Sequence, residues 1–591
     1  MKLFLTLLFL CFCWASTNAQ ALAVTASDNK ALHKVFDDYG IEYITLYPVA
    51  ATSLGFNYFN DQLPAEFTDS FKIKEKAFNT KYLTALSRFN RDELSENDRI
   101  SYDIFRFNLT MVLEGLGYKG NRMPFNQFDG MPLTIGQFGS GTVVQPFKTV
   151  TDYRNWISRA TAFTAWADSA IVYFRKGIKE GIVLPRALVV KMIPQMQSFI
   201  VSDPAQSIFY GPVNYFPANF HDSVKVELKA AYIRLINERL VPAYQKLHDF
   251  LQDEYLPAAR ASSGIGALPD GPAWYNYQVR AITTTRVSAD QLYRTGLAEV
   301  KRIRLEMEKV KAEVGFKGDI KAFFEYIRTN PRFFPYKTPE EVLDAYRAIQ
   351  QEIEPRLKDM FVDRPKTPFE IRQTESFRAA SAYAEYFAGL PDGSRPGIFF
   401  VPIVDATRQG IAVKSLFAHE AIPGHHYQMM LQYENESLPG FRRYGGFTAY
   451  VEGWGLYCED LGKEMGLYTD PYQKVEYLKY QMHRAIRLVV DPGLHAMGWT
   501  RKQAIEYMLA NEPVSREEAT SEIERYMAEP GQAVAYKVGE MKILELRAKY
   551  RKQLSTAFNL AEFHHELLKD GAMPLDVLEQ KMDRWASRQK K

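Results

Sequence analysis

The chain has 591 residues, 46% hydrophobic and 24% charged, with 73 basic against 70 acidic side chains and a formal net charge of +3. Charge so evenly balanced makes no basic field and gives nucleic-acid binding little support, so no nucleic-acid partner is expected. The length is ample for a large buried core.

Met1 to Gln20 combine one positive charge, an apolar run from Leu3 to Ala15 and small residues before Gln20, the pattern of a secretory signal peptide over 1–19 that is cleaved near Ala19. The run is too short for a spanning helix. No later stretch has the roughly 18 uncharged apolar residues of one, so no stable membrane insertion is expected after cleavage. Cys11 and Cys13 raise a lipoprotein reading, but Leu10 and Phe12 are too large for the small residue that precedes an acylated cysteine. With the signal removed Cys458 stands alone, and an exported protein, periplasmic or extracellular, must hold together without an intramolecular disulfide.

Apolar residues then recur at helical spacing over 82–115, 150–180, 222–255, 338–360, 472–490 and 533–557. Between 289 and 303 a stripe of Leu292, Leu297, Val300 and Ile303 has the same period. The fold class is therefore mainly α. Gly/Pro/Ser-rich loops fall at 116–146, 203–219, 256–277 and 390–398, and suggest an N-terminal helical region, 20–270, and a C-terminal one, 271–591, or else one continuous unit. The clearest strand runs from Gly397 to Val404. An edge strand there, around Phe400, would accept a substrate strand by main-chain hydrogen bonds.

Five of the ten histidines lie between 419 and 495, three of them in His419-Glu420-Ala421-Ile422-Pro423-Gly424-His425-His426. Imidazoles beside a carboxylate suggest zinc with a glutamate base. The helical pattern H-E-x-x-H would need its second histidine at Pro423. On an unbroken helix His426 would return to the face of His419. Proline and glycine together argue instead for a bulge that makes His425 the equivalent ligand. A second His-Glu pair, His565-Glu566, follows His564 on what reads as a solvated polar face. For a third ligand, Glu452 and Glu459 share one face of an apolar glycine-containing segment, with surface pairing to Arg442, Arg443 or Lys463 as the bland alternative.

With His419-Glu-Ala-Ile-Pro-Gly-His425 followed by Glu452-Gly-Trp-Gly-Leu-Tyr, the chain resembles the DUF885 family of bacterial proteins. Tyr275 to Ile303, Arg487 to His495 and Glu529 to Gly539 extend the likeness over most of the mature chain. The resemblance implies a large helical zincin-like metallopeptidase fold with a deep cleft and a few short strands near the site. It also implies one zinc per chain held by His419, His425 and Glu452, with Glu459 holding an imidazole N–H and His426 a neighbour outside the motif.

Under that reading Glu420 is the general base. His495, expected in a loop after an apolar helix, and Tyr536, after Pro530-Gly531, are candidate oxyanion donors. Arg487 or Lys537 would bind a substrate carboxylate, although a pair with Asp491 is the commoner role for Arg487. The expected substrate is a peptide or small amide; the alternatives are a binding protein that keeps the site without catalysis, and a hydrolase of non-peptide amides or esters. The sequence leaves the oligomeric state open.

Overall fold

The computed structural model describes residues 29–374, 379 and 383–589; the expected signal lies outside them. It is mainly helical, and no described helix is long and apolar enough to cross a membrane. Helices form where the apolar period is helical, as at Val150–Glu180, Pro339–Met360, Pro471–His495 and Ala535–Leu554. The expected 82–115 helix is two, Asp69–Leu86 and Glu96–Gly115, because Asn90 and Ser95 each bond a backbone N–H and start new turns. The 222–255 helix is helical throughout but carries π turns at Ile236–Leu240 and Leu251–Tyr255. Each ends just before a proline, whose missing N–H disturbs the regular ladder.

One core is built from the N-terminal helices, from Leu63 to Tyr255. Others join distant segments: Ile100 and Ile104 pack with residues of 342–586, and Leu188 packs with residues of 300–533.

Two glycine contacts set how the helices beneath the histidines lie. Ala289–Glu313 packs along Pro471–His495 where Gly296 meets Leu488 and Val489. The buried stripe is thus Leu292, Gly296, Val300 and Ile303, and Leu297, expected inside, is 40% exposed. Thr448–Leu461 packs on Ala535–Leu554 with Gly453 against Gly539, where a Cβ on Gly453 would lie 2.5 Å from the Gly539 backbone.

The described strands form one sheet in the order β1 (Phe369–Gln373), β3 (Gly397–Val401), β2 (Glu385–Phe387). β3 is parallel to β1 and antiparallel to β2, with Phe400 opposite Arg372 and Glu385. The expected edge strand is therefore the central one, and both its hydrogen-bonding edges are taken. Paired on both sides, Phe400 cannot recruit a substrate strand, and its ring packs on Phe387.

Gly453→Ala tests the closest helix contact. Alanine favours the helix intrinsically by about 1 kcal/mol, but overpacking costs about 1–3 kcal/mol. Thermal unfolding followed by circular dichroism should show a melting point lowered by about 1–2 °C; an unchanged or higher one would contradict the packing account.

Candidate metal centre

The histidine segment forms two short helices meeting at a break. Lys414–Glu420 ends at Ala421 and His425–Tyr433 begins directly after Gly424. Proline disfavours helical dihedrals at Ile422, and a side chain on Gly424 would collide with the carbonyls of Ala418 and His419. The indole N–H of Trp454 donates to the carbonyls of both Pro423, at 2.9 Å, and Gly424, at 3.2 Å, fastening the break to the Thr448–Leu461 helix. One residue on, a Cβ at Gly455 would sit 2.6 Å from the His419 ring, so glycine lets that imidazole lie against the helix.

This arrangement brings three groups together. Glu452 Oε2 is 3.4 Å from His419 Nε2 and 3.7 Å from His425 Nε2. Ligands about 2.0–2.1 Å from a tetrahedral zinc stand about 3.4 Å apart, so the spacing suits one ion. Ligand atoms of His419, Glu420 and His425 also lie within 4.8 Å of one another. Glu459 Oε1 is 2.8 Å from His419 Nδ1. A carboxylate there accepts the Nδ1 proton and leaves the Nε2 lone pair facing Glu452.

Glu452 Oε2 and His425 Nδ1 are enclosed and lack a hydrogen-bond partner among the described residues. Glu452 acts on His419 as a charge rather than through a well-formed hydrogen bond. A buried carboxylate oxygen in that condition is costly unless a cation meets it, and two imidazole nitrogens beside it are a donor set that zinc accepts. The residues fit the ion.

The charges are strongly coupled. Burial pulls the His419 pKa down, but Glu452 and Glu459 outweigh it and hold the imidazole up at about 10. Burial and the His419 charge take His425 down to about 4. Burial raises the Glu452 carboxyl, yet the two imidazoles overcome it and bring the group to about 2. Burial pushes Glu420 up to about 7, with His419 pulling the other way.

The remaining candidates divide. His426 turns to the sheet, with Nδ1 2.8 Å from the Tyr386 hydroxyl and its ring against Phe369. Tyr536, in the first turn of Ala535–Leu554, has its pKa raised by burial and then by the Glu452 charge, with Arg487 opposing. The Arg487 guanidinium lies over its ring, 4.6 Å from the centroid.

His495 is not in a loop: the Pro471–His495 helix continues through Pro492 and ends on it. Both its nitrogens are spent on backbone, Nδ1 accepting from Ile265 N–H at 3.0 Å and Nε2 lying 3.0 Å from the Tyr526 carbonyl. No nitrogen is left for an oxyanion. Asp491 accepts from the Tyr275 hydroxyl and Gly531 N–H instead of pairing with Arg487, whose acidic partner is Glu522 at 3.3 Å. Lys537 is buried and held by Gln481 and Glu540, which removes it as a carboxylate receptor. The His565-Glu566 copy is structural but not solvated: His564 is fully buried between Tyr457 and the Met360 carbonyl, and Glu566 is buried and pairs with Lys569.

Sequence reasoning missed Arg484. Its charge lowers both Glu420 and Glu452, and a second arginine three residues before Arg487 in an apolar helix was the available signal. It also missed Trp454 as the anchor of the break, which needed the tertiary structure.

The DUF885 model, described as "Bacterial protein of unknown function", matches residues 48–582. The chain belongs to the DUF885 family. A solved structure described as a "putative lipoprotein" from Colwellia psychrerythraea is 26% identical, covers 94% of this chain and 99% of its own, and superposes with a TM-score of 0.85. A "putative lipoprotein of unknown function" from Shewanella oneidensis is 20% identical, covers 94% and 100%, and reaches 0.72, a likeness of fold. No curated protein matches the chain.

Two outcomes follow for this DUF885 chain. After zinc loading and dialysis, His425→Ala should lose the metal by atomic absorption while His426→Ala keeps one ion per chain, and Glu459→Gln should weaken zinc affinity by about 10–100-fold. Metal retained in His425→Ala and lost in His426→Ala would reverse the assignment.

His495 sets a pH dependence. Burial lowers its pKa from 6.5 to about 3. Between those values the unfolded chain takes up a proton that the folded chain refuses, so stability present above pH 6.5 is lost as the pH falls. From pH 7 to 5 the loss is about 2 kcal/mol. Urea titrations should show a smaller fall between those pH values in His495→Asn than in the unsubstituted protein.

Proposed function

We propose that the protein is an exported zinc-dependent peptidase. The supporting observation is the meeting of His419 Nε2 and His425 Nε2 at the unpartnered Oε2 of Glu452, with the Glu420 carboxylate alongside. His419, His425 and Glu452 would hold the ion, and a zinc so held supplies an acidified water and polarises the scissile carbonyl.

The chain's own groups do the rest. Glu420 takes the proton of the attacking water and carries it to the leaving nitrogen. Its burial favours this, because a carboxylate outside bulk water is a stronger base. Glu459 holds the His419 Nδ1 proton and keeps that ring turned toward Glu452. Tyr536 donates from its hydroxyl to the oxygen that gains charge as the carbonyl becomes tetrahedral.

Export is supported by the signal-like pattern over 1–19 and by the "putative lipoprotein" description of both structural relatives. Acylation is not part of the proposal, since Leu10 and Phe12 stand before the two N-terminal cysteines.

The test is metal analysis joined to a mixed-peptide digest read by mass spectrometry. Zinc-loaded protein should cleave peptides, and Glu420→Gln should keep its zinc while its turnover falls about 10²–10⁴-fold. Undiminished hydrolysis by Glu420→Gln, or purified protein that takes up no zinc, would overturn the proposal.

A further inference from the structure

Arg484 and Arg487 lie three apart on the Pro471–His495 helix, hence on neighbouring turns of one face, about 4.5 Å apart along the axis. That helix packs against Lys414–Glu420, which carries His419 and Glu420. Among the described residues Arg484 has no salt bridge; its one hydrogen bond is a long 3.5 Å contact to the Tyr480 carbonyl, and its Nε is enclosed without an acceptor.

Arg487 is only 7% exposed. Its Nε donates to the Tyr526 hydroxyl at 2.9 Å and its Nη2 reaches Glu522 at 3.3 Å, but Nη1 is enclosed with no acceptor. Its guanidinium lies 4.6 Å over the ring of Tyr536, whose helix packs against the one that carries Glu452.

The acid that Arg487 reaches is already shared. Glu522 also takes Arg525 at 3.0 Å and His483 at 3.4 Å. Two guanidiniums and an imidazole share that one carboxylate, and Nη1 of Arg487 and Nε of Arg484 remain unspent donors. Unpaired buried donors are costly, and planar guanidinium groups are suited to a carboxylate that accepts two bonds at once. By contrast the neighbouring cation Lys537 is fully engaged.

We infer that Arg487, together with Arg484, forms a subsite for the free α-carboxylate at the substrate's C-terminus. The inference rests on the peptidase reading and narrows it: bound by its terminal carboxylate across Tyr536 from the metal centre, a peptide loses one or two residues from its C-terminal end.

Matched peptides with a free or an amidated C-terminus test it on the zinc-loaded full chain. The free acids should be cleaved with kcat/KM at least tenfold above the amides, releasing C-terminal amino acids or dipeptides. Arg487→Met should remove most of that preference, chiefly through KM, and Arg487→Lys should restore part of it. Arg484→Met should also reduce the preference, which keeps the test decisive if the Arg487 variants fold poorly. Calorimetry on zinc-loaded Glu420→Gln gives a reading without turnover, with the free acid binding at least tenfold tighter than the amide.

Equal cleavage of acid and amide overturns the subsite and leaves the peptidase reading standing, as does a preference that survives both Arg484→Met and Arg487→Met. Cleavage of neither peptide refutes the peptidase reading. Calorimetry then decides the subsite alone: acid preference upholds carboxylate binding and equal binding overturns it.

Discussion

The site depends on one hydrogen-bonded attachment, the Trp454 indole N–H shared between the carbonyls of Pro423 and Gly424. Both carbonyls belong to a helix break, where Gly424 accepts one ladder bond, from the Gln428 N–H at 3.1 Å, and keeps a second lone pair for the indole. The indole supplies the donor and fixes the break to the helix that carries Glu452, two residues before Trp454. Gly455 completes the attachment by leaving room for the His419 ring. A seven-residue and a nine-residue helix, each too short to be stable alone, thereby hold two imidazoles against one carboxylate.

The surrounding charges show the same economy. Glu459 turns the His419 ring, Arg484 balances Glu420 and Glu452 from the neighbouring helix, and Arg487 lies over the Tyr536 ring. Each acid in the centre thus has a basic group facing it from another element. In a buried setting this matters, because charges without partners cost several kcal/mol each.

Much of this was legible in the sequence where the cause is local. The apolar period located most helices, and Pro423-Gly424 announced a break that puts His425, rather than His426, beside His419. What was not legible depends on distant partners. β3 is central because β1 and β2 flank it, which its own apolar run cannot reveal. His495 is saturated by Ile265 and Tyr526, from segments far away in sequence. Arg487 chose Glu522 over the nearer Asp491 because Tyr275 and Gly531 had claimed that acid. The stripe at 289–303 misread Leu297 for a related reason: a glycine held the buried position, and hydrophobicity does not mark a glycine whose role is to let another helix approach.

The Gly453–Gly539 contact also carries a mechanical consequence. At that crossing the helices bearing Glu452 and Tyr536 meet backbone to backbone, with no side chain between them to reorient or compress. Their separation is fixed by main-chain packing, so one wall of the centre behaves as a rigid reference. Any adjustment of the centre must then come from its other walls, while the glycine pair stays as it is.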